Sequence, residues 1–153
     1  KVIEIIPKDI DIVLLGSEIE AKLSEEFVEK YKGKNNITNL TGKTTLIETL
    51  QIIRNSKLLI ANETASVHMA VAMKTPSLCF LGGGHFGRFI PYKIEEKDNQ
   101  ILHRVIYKKM ECFNCNWQCK YPLVNNKTWK CIYEIDTLDA RNELIQILKE
   151  FHL

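Results

Sequence analysis

The segment with the most chemical potential is Asn62–His68, which crowds hydroxyl, carboxylate and imidazole side chains together. It lies between an apolar run and a run of small residues, so we expect it to join a strand to a helix. At such a junction, free amides and first-turn side chains point towards a ligand. Each residue also has an ordinary interpretation: Thr64 and Ser66 as helix caps, Glu63 as a complement to the helix dipole, and His68 as a core histidine. Their combination favours a ligand site.

Two glycine turns could bring the backbone close to the same ligand. Gly16 and Ser17 follow one apolar run and precede a capped helix, although an ordinary tight turn would look the same. Gly82-Gly83-Gly84-His85 follows another apolar run and could wrap a ligand or act as a hinge. Neither turn matches the phosphate loop that ends in Lys-Ser/Thr, nor GxGxxG. The sequence therefore does not support ATP hydrolysis or hydride transfer.

Four of the five cysteines fall in one segment, predicted as a surface excursion over residues 108–135. Their spacing, C-x2-C-x3-C-x11-C, fits a closed tetrahedral zinc site with a structural role. The alternative is a set of reduced or disulfide-paired thiols that pin the excursion. Phe113 and Trp117 indicate that it packs on the core in either case, and Cys79, inside a predicted strand, is assigned to the core. The four clustered cysteines are Cys112, Cys115, Cys119 and Cys131.

Strand and helix signals alternate along the chain. Apolar runs predict strands at 11–15, 36–40, 57–61, 77–81 and 101–107. Predicted helices begin near Ser17, Thr45, Thr64 and Thr137, and the first two carry capping boxes with Glu20 and Glu48. Strand–helix units of this length predict an α/β fold with a doubly wound parallel sheet, in one domain over 1–153. Ligands of such sheets bind at the carboxyl ends of the strands, where the polar and glycine turns fall.

Apolar residues at helical spacing predict that one face of each of three helices is buried. The first stripe is Ile19, Leu23, Phe27 and Val28; the second is Leu46, Ile47, Leu50 and Ile53; the last is Leu138, Leu144, Ile145, Ile147 and Leu148.

The composition of the 153 residues is that of a globular domain, with 45% apolar and 26% charged residues. A formal charge of +2 is too small to argue for nucleic acid or an anionic membrane. No run approaches the ~20 apolar residues of a membrane span. The first residues do not read as a signal peptide, so we expect a cytoplasmic location, including the inner face of the membrane. The absence of an initiator Met suggests an excised fragment.

The stretch from Leu58 to Tyr92, LLIANETASVHMAVAMKTPSLCFLGGGHFGRFIPY, resembles the donor-site signature of glycosyltransferase family nine, the lipopolysaccharide heptosyltransferase family. The upstream Leu-Leu-Gly-Ser…Glu element and the downstream cysteine segment also resemble members, so the likeness spans nearly the whole chain. It implies a GT-B architecture, in which two Rossmann-like domains face each other across a cleft. This chain would be the C-terminal domain, which binds the nucleotide-diphosphate sugar.

The resemblance also implies roles for individual residues. Glu63 would lie near the sugar or its phosphates, and Glu20 would hold the ribose or base. The diphosphate-binding turn would comprise Thr64, Ala65, Ser66 and His68. The residues that line the sugar side would be Gly82, Gly83, Gly84 and His85. Further contacts with the donor would come from Gly16, Ser17 and Thr44. Two departures from the family pattern, Ala65 in place of Gly and Glu63 in place of Asp, argue against assuming heptose.

The implied reaction is inverting transfer of a hexosyl or heptosyl group from an ADP-heptose-like donor to a glycan or lipid-linked acceptor. It would require no metal ion or other cofactor. The catalytic base would come from an N-terminal acceptor domain outside this sequence, so the chain by itself is predicted to bind donor without turnover.

Two other interpretations stay open at this stage. A zinc-binding nucleic-acid module would use the cysteine cluster and the nearby lysines, but the near-neutral charge argues against nucleic acid as a partner. A non-catalytic sugar-nucleotide sensor would differ from the transferase only in having no acceptor domain attached. The lysines concerned are Lys108, Lys109, Lys120, Lys127 and Lys130.

Overall fold

The computed structural model describes residues 2–92, 103–125 and 127–153. Sequence reasoning predicted one domain, and the chain contains two compact units. One unit is formed by residues up to Ile52 together with Arg141–Leu153, and the other by Ile53–Ala140. Each unit is described by itself.

The first unit is built around two short parallel strands. A 3-10 helix over Ile3–Ile5 precedes β1 (Ile12–Leu14), and a second 3-10 helix over Glu18–Glu20 leads into α1 (Ala21–Lys30). Strand β2 (Ile37–Asn39) pairs with β1 in parallel, with Ile12 opposite Ile37. The helices α2 (Leu46–Asn55) and α5 (Thr137–Glu150) cross the boundaries between the units.

Both predicted capping boxes are confirmed. The backbone N–H and the hydroxyl of Ser17 donate to Oε2 of Glu20, each at 2.8 Å. Thr45 makes the same two bonds to Oε2 of Glu48, also at 2.8 Å. Each carboxylate satisfies an amide that the helix leaves without a partner, so these two helix starts are fixed by local sequence.

The second unit holds a three-stranded parallel sheet. Its strands are β3 (Leu59–Asn62), β4 (Ser77–Phe80) and β5 (His103–Ile106), in the order β3-β4-β5. Helix α3 (Ala65–Met73) connects β3 to β4, and the short helix α4 (Lys130–Tyr133) follows the cysteine segment. The strand predicted at 101–107 is β5, and residues 101 and 102 lie outside the described part of the chain.

The core of the second unit forms where α3 meets the central strand β4. Val67, Cys79, Leu81 and Ile90 are almost fully buried, and Tyr92 packs against them. Parallel strands covered on both faces read as continuous apolar runs, which is why Ser77-Leu78-Cys79 is buried throughout. The assignment of Cys79 to the core is confirmed.

The predicted burial of the helix stripes is wrong in part. Ile19 is 94% exposed, Leu46 61% and Leu138 63%, and α1 contains no buried residue. In the first unit, two strands of three residues offer too little surface to cover the apolar faces that carry Ile19 and Leu46. The residues of these stripes that are buried are Ile53 in α2 and Leu144, Ile147 and Leu148 in α5. The other stripe residues that are exposed are Leu23, Val28, Ile47 and Ile145.

Candidate functional site

The polar junction lies where the sequence places it, between β3 and α3. Thr64 is the N-cap residue of α3, with an extended backbone (φ −137°, ψ 175°), and its side chain makes no capping hydrogen bond. Thr64 and Ala65 are exposed and Ser66 is half-buried. Thr64 is therefore not an ordinary helix cap whose side chain bonds the first-turn amides. Its hydroxyl and the first-turn amides of α3 can meet an anion from solvent.

Glu63 places a carboxylate oxygen in an unusual environment. Oε2 is enclosed by protein and has no hydrogen-bond partner among the described residues. Burial raises the pKa of this carboxyl group, and the nearby imidazoles of His85 and His68 oppose the rise only in part. An enclosed acceptor oxygen without a donor is costly to a folded protein.

His68 is exposed on the first turn of α3, so the core-histidine interpretation is wrong. Its Nδ1 is hydrogen-bonded to the hydroxyl of Tyr92. Tyr92 belongs to the packed core, and burial raises the pKa of its phenol, which therefore keeps its proton and can donate. A phenol that donates to Nδ1 leaves the proton of a neutral imidazole on Nε2. In that tautomer His68 presents an N–H donor beside the amides of the helix start.

His85 follows the glycine run and is held by the cysteine segment. Its Nε2 lies 2.6 Å from Oδ1 of Asn116. Its ring meets those of Trp117 and Phe89 edge to face, with centroids 6.0 and 5.6 Å apart. The imidazoles of His68 and His85 both act on the pKa of Glu63, so the three side chains lie near one another in the second unit.

The glycine run is buried, and its lack of side chains is required by close packing. A Cβ on Gly83 would lie 2.5 Å from the ring of Phe113, and one on Gly84 would lie 2.4 Å from that of Trp117. The prediction that these two aromatics pack the excursion on the core is confirmed. The contact with a ligand expected of Gly82, Gly83 and Gly84 stays a prediction.

The remaining predicted donor contacts lie in the first unit. Gly16 is tightly enclosed, since a Cβ there would stand 3.1 Å from Oε2 of Glu20 and from Cγ2 of Thr41. Oε2 of Glu20 is engaged by Ser17, and these two hydrogen bonds lower the pKa of its carboxyl group. The hydroxyl of Thr44 bonds that of Thr49 at 2.9 Å. Local structure accounts for all four predicted residues here, and their ligand roles stay predictions.

All five cysteines are unpaired thiols. Among the residues that the structure describes, no three His, Cys, Asp or Glu side chains are grouped as a metal site requires. The grouping of Cys112, Cys115, Cys119 and Cys131 around one ion is therefore not observed among the described residues. Sγ of Cys131 is instead 3.5 Å from the backbone N of Gly83, which donates to it. A structural zinc ion at these thiols stays a prediction.

Tyr92 and Asn116 are the site residues that sequence reasoning did not assign. Tyr92 closes the stretch that carries the family resemblance, but nothing in its spacing ties it to His68. Asn116 lies 31 residues from His85, and nothing in its position among the cysteines ties it to that histidine. Contacts across such separations leave no periodic signal in one sequence.

The fold is that of glycosyltransferases of the GT-B type. The structure is similar to an ADP-heptose lipopolysaccharide heptosyltransferase II from E. coli, with a TM-score of 0.64 and 17% identity over 94% of this chain. It is also similar to a family 9 glycosyltransferase from Veillonella parvula, with a TM-score of 0.59 and 16% identity over 92% of this chain. The chain spans 38% and 37% of the length of these two proteins. The Rossmann-like α/β fold predicted from the sequence is confirmed.

The sequence model of the protein family glycosyltransferase family 9 (heptosyltransferase) matches residues 1–121, and the chain belongs to this family. The resemblance inferred from the sequence is therefore confirmed. No curated protein sequence matches the chain. Within the described ranges, no helix is long and apolar enough to cross a membrane.

Proposed function

We propose that this chain binds the nucleotide-diphosphate sugar of a family 9 glycosyltransferase, which transfers the sugar to a glycan or lipid-linked acceptor. The observation that carries the proposal is the start of α3, where an uncapped hydroxyl and free amides adjoin the unpartnered oxygen of Glu63. An anion binds such a helix start, and a hydroxylated group can donate to the accessible oxygen of the same carboxylate. A diphosphate sugar supplies both.

The diphosphate lies against the first turn of α3 in this proposal. Its oxygens accept hydrogen bonds from the helix amides, from the hydroxyls of Thr64 and Ser66, and from Nε2–H of His68. Sugar transfer places negative charge on the leaving diphosphate. Donors already fixed in position stabilise that charge without reorganising, and a metal ion is not needed for this step. Tyr92 contributes by holding the imidazole in its donating form.

The sugar lies beside Glu63 and His85. A sugar hydroxyl donates to the carboxylate of Glu63 through the oxygen that is not enclosed. Glu63 thereby recognises a donor hydroxyl and is not required as the base that deprotonates the acceptor. That base comes from the acceptor domain of the whole enzyme. The isolated chain binds donor and does not transfer sugar.

The proposal is tested by calorimetric titration of the purified chain with ADP, UDP, GDP and the corresponding diphosphate-glucoses. We expect one nucleotide to bind selectively, and His68→Ala to weaken its binding. His152→Ala is the matched control, because His152 is an exposed histidine near the end of the chain. Equal affinity in the two variants, or no binding to any nucleotide, would refute the proposed site.

A sugar-nucleotide sensor would bind donor equally well, so a second measurement separates it from the transferase. The full-length protein is incubated with the selected diphosphate sugar and a lipopolysaccharide-type acceptor. Release of nucleoside diphosphate that depends on acceptor supports the transferase. Release that does not rise with acceptor supports the sensor.

A further inference from the structure

The cysteine-rich excursion meets the proposed site at one side chain. Oδ1 of Asn116 lies 2.6 Å from Nε2 of His85, and the neighbouring ring of Trp117 packs edge to face against the same imidazole. The excursion therefore restrains His85 both by a hydrogen bond and by ring packing.

The hydrogen bond selects one form of the imidazole. An amide oxygen can only accept, so Nε2 of His85 must carry the proton that the bond uses. In the neutral ring, Nδ1 is then an unprotonated acceptor. His68 is bonded to the hydroxyl of Tyr92 through Nδ1, and in the tautomer that accepts from this hydroxyl its Nε2–H is free to donate.

The backbone of the excursion is held in a costly conformation at this contact. Asn114, Asn116 and Trp117 have φ values of 65°, 51° and 61°, in the left-handed region that side chains seldom adopt. Two hydrogen bonds to the glycine run hold it there: Asn114 N–H to the carbonyl of Gly83 at 2.8 Å, and Asn116 N–H to that of Gly84 at 3.0 Å. Backbone strain of this kind persists where the surrounding structure over-determines it, and it is concentrated at functional sites.

We infer that Asn116 is a positioning residue of the donor site, which acts through His85 to present Nδ1 as an acceptor for a hydroxyl group of the donor sugar. The excursion is then a wall of the sugar pocket and has more than a structural role. This inference rests on the proposed function, because it assigns the sugar hydroxyl to the same site as Glu63.

The test compares Asn116→Ala with Asn114→Ala. Both residues are exposed asparagines at left-handed φ, and both donate a backbone N–H to the glycine run, so alanine strains the two positions alike. Only the side chain of Asn116 reaches His85. Asn116→Asp retains an acceptor oxygen at the same place and serves as the rescue.

The first readout is the tautomer of His85, obtained from the nitrogen-15 shifts of its ring in the intact chain. We expect the Nε2–H form in the wild type, in Asn114→Ala and in Asn116→Asp, and a mixture of tautomers in Asn116→Ala. A lost fold would instead disturb the spectrum of every residue. An Nδ1–H form in the wild type, or a tautomer that Asn116→Ala leaves unchanged, would overturn the inference.

The second readout is the affinity for ADP and ADP-glucose, or for the pair that the first titration selects. Asn116→Ala should bind the diphosphate sugar about tenfold more weakly than Asn114→Ala, the effect of one lost hydrogen bond, and the nucleoside diphosphate equally well. If the wild-type chain binds the nucleoside diphosphate and the diphosphate sugar with equal affinity, this inference is overturned and the proposed diphosphate site still stands. A chain that binds neither would overturn the proposed function, and this inference with it.

Discussion

Replacing Glu63 by Gln should stabilise the protein and weaken its binding of donor. Oε2 of Glu63 is enclosed without a hydrogen-bond partner, and an unsatisfied buried polar group costs about 1–3 kcal/mol. Only one of the two oxygens is enclosed and the residue as a whole is half-buried, so the lower end of that range applies. Gln keeps an unpartnered polar atom at the enclosed position and removes only the charge, so the gain is the part of this cost that the charge adds. We expect the free energy of unfolding at pH 7 to increase by about 1 kcal/mol.

The increase in the free energy of unfolding that Glu63→Gln produces should be larger at neutral pH than in acid. Burial raises the pKa of Glu63 above its ordinary value of 4.5, so the folded protein holds this proton more tightly than the unfolded chain does. Below pH 4.5 the carboxyl group is protonated in both states, and its charge costs no stability. As the pH rises through the folded-state pKa, the penalty of the buried charge develops fully. The advantage of Glu63→Gln is therefore complete at neutral pH and lost in acid.

Urea denaturation at pH 7 and pH 4 measures this difference, with Glu29→Gln as the control. Glu29 is exposed on α1, so its substitution removes the same charge without relieving any burial. Calorimetry on the same samples should show weaker binding of the diphosphate sugar to Glu63→Gln, since a stabilising change in a binding site commonly costs function. A variant no more stable than wild type at pH 7, or equally favoured at pH 4, would refute the reasoning.

Three further substitutions test single contacts. Gly84→Ala puts a Cβ 2.4 Å from the ring of Trp117, and overpacking of this kind should lower the free energy of unfolding by about 1–3 kcal/mol, as measured by chemical denaturation. Thr75→Val removes the 2.8 Å hydrogen bond from the buried hydroxyl to the carbonyl of Ile53, at a cost of about 1 kcal/mol in the same assay; an unchanged midpoint would contradict it. Tyr92→Phe removes the hydroxyl that holds the imidazole on the first turn of α3, and calorimetry should show roughly threefold to tenfold weaker binding of nucleoside diphosphate.

The sequence by itself determined the order of strands and helices and the two capped helix starts. These features depend on residues three or four positions apart, such as Ser17 and Glu20, whose interaction is nearly independent of the rest of the chain. It also determined the polar junction at Glu63–His68, because a strand, a hydroxyl-rich turn and a small-residue helix follow one another without interruption. The family resemblance has the same origin, since its motif is continuous in sequence.

Tertiary structure alone decided what each of these side chains meets. His68 reaches Tyr92 across 24 residues, and His85 reaches Asn116 across 31. The enclosure of Oε2 of Glu63 likewise depends on the packing around β3 and α3. Helical periodicity predicted buried faces on α1 and α2, yet Leu23 and Leu46 are exposed, because the spacing of apolar residues shows only which of them share a face. Whether that face is covered depends on the area of the neighbouring layer, which no local pattern contains.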